Sequence, residues 1–104
     1  MNTIVAEREF RCGADAAHIR VFAPQLDQRD WRCEYEIAWP AAPRRSYAMG
    51  VDSFQALQLA MFQIATDVSA SDAFKAGEIT VFDEPMTTGS QLSQIFPTPW
   101  NHTQ

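Results

Sequence analysis

The 104-residue chain predicts an α+β fold, an antiparallel sheet of four to five strands with one long helix, about residues 53–69, packed on one face. Three observations carry this. Residues 4–51 alternate apolar and polar side chains in short runs bounded by Gly, Pro and Asp clusters, the pattern of half-buried strands. The links between the runs are short, which favours antiparallel neighbours. The period then becomes helical over "DSFQALQLAMFQIATDV", with no charge from Ser53 to Thr66.

The elements follow in order. Ile4, Ala6, Phe10 and Cys12 share one side of a first strand, with Glu7, Glu9 and Arg11 on the other; Arg8 interrupts the apolar side. "GADAA" is a turn. His18–Ala23 is a second strand, ended by Pro24, and "QLDQRD" is a loop. Trp31–Trp39 is the clearest strand: Trp31, Cys33, Tyr35, Ile37 and Trp39 face one way, Arg32, Glu34 and Glu36 the other. "PAAP" stops it, because proline cannot donate to a ladder. Arg45–Val51 is a fourth strand. Together the outer sides present a charged sheet face, read as cross-strand pairs in solvent or as a polar recognition surface.

Asp52 with Gln55 three residues later forms a capping-box pattern at the helix start. Phe54, Leu57, Met61, Ile64 and Val68 form a stripe whose burial supplies on the order of 10 kcal/mol before entropy. The far side then carries Gln55, Leu59, Phe62, Gln63 and Thr66. Leu59 and Phe62 are too apolar for a solvated helix back, so a cover is expected: the chain's own tail, a partner or a second copy. "SDAFKAG" adds a helical turn capped by Gly77, and Glu78–Phe82 is a fifth strand. Residues 1–84 are read as one domain. Residues 85–104 are read as an irregular tail docked through Phe96 and Trp100.

Composition excludes several functions. The net charge is −5, with 46% hydrophobic residues. Residues 53–104 hold one base, Lys75, against Asp67, Asp72, Glu78, Asp83 and Glu84. No basic stripe offers itself to nucleic acid. No signal-peptide pattern or membrane-length apolar run occurs, so a soluble cytoplasmic protein with reduced Cys12 and Cys33 is expected; a cross-strand disulfide is the alternative for an exported chain.

Catalytic patterns are equally sparse. His18 and His102 lack the nucleophile and orienting acid of a triad, and Ser46, Ser53 and the thiols have no elbow context. Cys12, His18 and Cys33 match no zinc spacing and lack a fourth ligand. "YAMGVDS" resembles an anion-binding turn, but Asp52 repels an anion there. Glu34 with Glu36, and Glu7 with Glu9, sit on a wet face without evident activation. No catalytic residue, cofactor or metal is expected.

The run "CEYEIAWP…RSYAMGVDSFQALQLAMFQI…AGEITVF", residues 31–82, resembles a family of short bacterial proteins of unknown function. That family shares a C-x-Y-x-I strand, a Y-A-x-G-V-D-S/A-x-Q-A-L-x-L-A turn and helix, and an A-G-x-I/L approach to a last strand. The resemblance implies bacterial origin and a small α+β domain, with no activity to carry over. By analogy with small acidic domains, the expectation is a non-enzymatic protein-binding module, in its concrete form a toxin-neutralising immunity protein. Its candidate interaction surface is Leu59, Phe62, Gln55, Gln63, Asp67, Asp72, Glu78, Asp83 and Glu84. A homodimeric structural or regulatory domain is the alternative. A small-ligand binder or enzyme built on the aromatic interior (Trp31, Tyr35, Trp39) is the third reading.

Overall fold

Two-residue links set the topology. In the computed structural model, which describes residues 3–100, β1 (Ile4–Cys12) turns through Gly13 and Ala14 into β2 (Asp15–Phe22). Gly13 lies at φ +62°, the left-handed region that a glycine enters without steric cost. After Pro24 a short β3 (Gln25–Asp27) turns through Gln28 and Arg29 into β4 (Asp30–Ala38), and β5 (Pro43–Gly50) follows. β5 pairs with the whole outer edge of β4. β2 and β3 share the other edge, one after the other. Beyond β2 come β1, β6 (Ile79–Val81) and β7 (Glu84–Pro85), every pairing antiparallel.

Among the described residues the sheet therefore has seven strands rather than four to five. The added ones, β3 and β7, are three and two residues long, too short for alternation to register. The long helix α1 spans Ser53–Ser69 as expected, and two short helices join it, α2 (Asp72–Lys75) and α3 (Gly89–Ile95). α3 lies where an irregular tail was expected. Its start is written as a capping box: the Thr88 hydroxyl accepts from Gln91 N–H, and Gln91 Oε1 accepts from Thr88 N–H.

α1 lies across β4 and β5. It does so on alanines as much as on the large stripe. Ala56, Ala60, Ile64, Ala65 and Val68 are buried against Cys33, Tyr35, Ile37 and Ala48, whereas Phe54 is 75% exposed. The stripe is thus rotated from the expected one. Small side chains allow the helix backbone to approach the sheet closely, which favours the alanine face as the contact line and moves Leu57 and Met61 to its flank. The molecule is 20 Å thick along its shortest axis, about one sheet plus one helix, so the other sheet face is left to solvent.

The C-terminal segment completes the core. Leu92 is fully buried, Phe96 is 6% exposed, and Ile95 and Trp100 pack half-buried against the same cluster. Arg8, the residue that breaks the apolar side of β1, fastens this segment. Its guanidinium donates to the Ile95 carbonyl and lies 5.4 Å from the ring centre of Phe96 and 5.1 Å from that of Phe82. Cys12 and Cys33 are free thiols on β1 and β4, with β2 between them. Two strand spacings, about 10 Å, exceed the reach of a disulfide.

Candidate functional site

The turn from β5 into α1 is built around a missing side chain. A Cβ on Gly50 would lie 2.4 Å from the Ala56 backbone nitrogen and 2.9 Å from its Cα. Only glycine lets the strand end abut the first helical turn. Asp52 caps that turn, its Oδ1 accepting from Gln55 N–H at 2.8 Å, and Gln55 Oε1 accepts from Val51 N–H at 2.8 Å. The Gly-Val-Asp-Ser-Phe-Gln-Ala run is thus a corner joint.

This joint turns its intervening apolar side chains outward. Val51 is 73% and Phe54 75% exposed. The sheet register adds to them: Trp31 pairs with Gly50 on one side and with Leu26 on the other. Trp31 is half-buried against the core, and Leu26 is 63% exposed. One end of the molecule therefore presents Leu26, Trp31, Val51 and Phe54, with Asp27, Arg29 and Asp30 on the adjacent β3–β4 turn. Large apolar groups gathered in this way mark a contact surface more often than scattered ones do.

The opposite flank of α1 is fixed by a polar pin. Tyr35 Oη donates to Asp67 Oδ2 at 2.6 Å, Arg44 Nε donates to the same oxygen at 3.1 Å, and Gln63 Nε2 donates to Tyr35 Oη and to the Tyr47 carbonyl, both at 3.2 Å. Burial, and then the bond to the Asp67 carboxylate, push the Tyr35 phenol above its ordinary range. The phenol stays a neutral donor, which is what a structural fastener requires. Cys33 is fully buried, its Sγ donating to the Phe22 carbonyl at 3.3 Å, and burial pushes its thiol up to about 11. A thiol so raised is a packing residue, not a nucleophile.

The outer sheet face carries a row of alternating charge across four strands. Glu7 on β1 pairs with Arg20 on β2 at 2.7 Å; Arg20 faces Glu36 on β4 at 3.8 Å; Glu36 meets Arg45 on β5 at 3.3 Å. Each partner sits directly opposite in the register, so like charges are never adjacent along this row. A second group joins Arg32 to Asp27 and Glu34 and stacks its guanidinium 4.1 Å from the Tyr47 ring centre. Glu34 and Glu36 are therefore ion-pair partners, and the face has the form of a solvated lattice of cross-strand pairs.

The residues named from sequence as an interaction surface are dispersed. Gln55 belongs to the corner joint. Gln63 and Asp67, expected on or near the helix back, face the sheet in the Tyr35 pin. Leu59 is half-buried against the core and Phe62 is half-buried. Of the tail, Ile95, Phe96 and Pro97 line a groove together with Met61 and Ile64. Glu78, Asp83 and Glu84 border β6 and β7, at the sheet edge opposite the one that holds Asp67 beside β5, and Asp72 opens α2. The acids thus do not form one patch. Sequence reasoning passed over Leu26 and Val51; the exposed side of a strand pair at the level of a close-approach glycine was the available signal.

Cys12, His18 and Cys33 form no metal site, and among the described residues no cluster of three or more His, Cys, Asp or Glu is placed to hold a metal. His102 lies outside the described residues. No helix among those described is long and apolar enough to cross a membrane.

The fold and the corner define a class, a two-layer α+β domain whose long helix is locked to an antiparallel sheet and whose one end is apolar. Within that class the chain belongs to the family described as a domain of unknown function, DUF6968, whose model matches residues 6–92. No curated protein and no solved structure gives a significant match.

Proposed function

We propose that this chain is a non-enzymatic protein-binding module that engages its partner through the corner formed by Leu26, Trp31, Val51 and Phe54. One observation carries the reading: Leu26, Val51 and Phe54 are 63%, 73% and 75% exposed, beside the strand ends where the half-buried Trp31 pairs with Leu26 and with Gly50. Leaving this much apolar side chain in water is unfavourable by about 25 cal/mol for each Å² that a partner would cover. Aromatic and aliphatic anchors with charged residues beside them are the anatomy of a protein interface. The polar groups of the molecule support a binding role over a catalytic one, since the Tyr35 pin and the outer-face carboxylates are engaged in holding the fold.

The test is a photo-crosslinking residue placed at position 54 and activated in the host cell. The expected result is one discrete adduct with a different protein, lost on Val51→Glu; if that protein is a toxin, the module is an immunity protein. An adduct of two copies of this chain would replace the reading with the homodimer. No adduct above background would overturn it. Phe54→Glu should change folding stability by no more than about 0.5 kcal/mol, as expected for an exposed site, so a loss of partner is separable from a loss of fold in a urea titration.

A further inference from the structure

Away from the corner, α1 and the C-terminal segment stand apart over β1 and β2 and leave a groove of about 310 Å³. Ile19 and Val21 form its floor, Met61 and Ile64 one wall, Phe96 and Pro97 the other. The volume lies at the small end of the range for ligand pockets, and an apolar lining with few polar groups is their usual composition. The charged side chains of the groove are Glu7 and Arg8, and Arg8 is the one on the apolar side of β1, in register with Ile19.

The environment of Arg8 is unusual in three respects. First, no carboxylate among the described residues lies within ion-pair distance of it; it shares this with Arg11 and Arg29, but of the three only Arg8 lines the groove, whereas Arg20, Arg32, Arg44 and Arg45 have acidic partners. The nearest acid in the groove lining, Glu7, is held by Arg20 at 2.7 Å. Second, the guanidinium is oriented by the rings of Phe82 and Phe96 and by one donated bond to the Ile95 carbonyl, which leaves most of its five N–H donors for another acceptor. Third, Phe82 holds its ring there from a strained backbone. It lies at φ +53°, followed by Asp83 at φ +63°, in a two-residue hairpin whose turn type favours Asn-Gly. A bulky residue in the left-handed region points to a local requirement beyond folding.

We infer that this groove binds a small amphiphilic carboxylate, its apolar chain or ring between α1 and the tail and its carboxylate on the Arg8 guanidinium. Charge complementarity selects the head group, since the site offers one oriented cation that has no ion-pair partner among the described residues, at the edge of an apolar cleft. The groove volume selects a short body over a long acyl chain. The corner of Leu26 and Phe54 takes no part.

The probe is octanoate, titrated into the full chain and followed by amide and methyl NMR, with octanol and octylammonium as arms of equal chain length. Octanoate should bind saturably at one site, shifting Ile19, Val21 and Ile64, and about tenfold or more tighter than octanol, the range of a charge-assisted hydrogen bond. Arg8→Met should reduce octanoate to the level of octanol. Because Arg8 also fastens the tail, Ala6→Trp gives a second test: it fills the groove from its exposed edge with the guanidinium intact, and should abolish octanoate binding while the circular-dichroism melt is retained. Equal affinity for octanoate and octanol, octanoate binding retained in Ala6→Trp, or no saturable shift would each overturn the inference. Phe54→Glu should leave octanoate affinity unchanged, so this site and the protein-binding corner fail or stand separately.

Discussion

A methyl group at position 50 would meet the Ala56 backbone at 2.4 Å, and backbone cannot rotate aside as a side chain can. Gly50→Ala is therefore expected to lower stability by about 1–3 kcal/mol, the range for overpacking, in urea unfolding. Gly89→Ala is the control: its nearest contact would be the Trp100 indole at 3.9 Å, so it should be close to neutral. Alkaline pH addresses a second residue. The Cys33 thiol is raised from 9.0 to about 11, so the unfolded chain loses this proton first as pH rises. Stability should be full below about pH 9 and fall by on the order of 2 kcal/mol by pH 11, at up to about 1.4 kcal/mol per pH unit. The raised Tyr35 phenol adds to the decline above about pH 10. Cys33→Ser keeps a donor toward the Phe22 carbonyl and does not titrate there, so it should flatten the fall between pH 9 and 11 in denaturation measured across that range.

Among the elements, the β6–β7 hairpin holds two of the three non-glycine residues at positive φ among those described; Gln28 in the β3–β4 turn is the third. Asp83→Gly removes the Cβ from a residue at φ +63° and should stabilise the chain by about 0.5–1 kcal/mol, read as a higher urea midpoint with unchanged slope. Helix α1 shows where sequence pattern succeeds and where it stops. Its bounds, its Asp52 cap and its Ile64 and Val68 contacts were legible, because capping and 3.6-residue periodicity are local. The rotation that exposes Phe54 and buries Ala56 and Ala60 was not. A stripe read by side-chain size points to the largest residues, whereas a helix lying close to a sheet turns its smallest ones inward, and only the clash at Gly50 shows how close it lies. Strand β4 was read almost to its ends, because five alternating positions in a central strand leave one assignment.

At the scale of the whole molecule, the domain does not end at residue 84. Met86, Leu92 and Phe96 are buried in the same core as Phe10 and Ile79, and Arg8 ties Ile95 back to the first strand. Truncation after Pro85 is expected to abolish cooperative unfolding in a thermal melt, and Leu92→Ala alone to cost about 2–5 kcal/mol. A truncated chain that melted cooperatively at the full-length midpoint would show the tail to be an accessory.

The sequence by itself determined the α+β class, the antiparallel links, the helix and its cap, because each rests on neighbours within a few residues. Only the tertiary structure decided that the Gly-Val-Asp run is a joint with an apolar corner outside it. It likewise decided that Arg8 stands over an apolar groove without an acid partner among the described residues, and that the acidic residues of the second half lie at opposite sheet edges. Those facts depend on which strands become neighbours and how near the helix settles. That is fixed by side-chain packing between segments far apart in the chain, which no local period records.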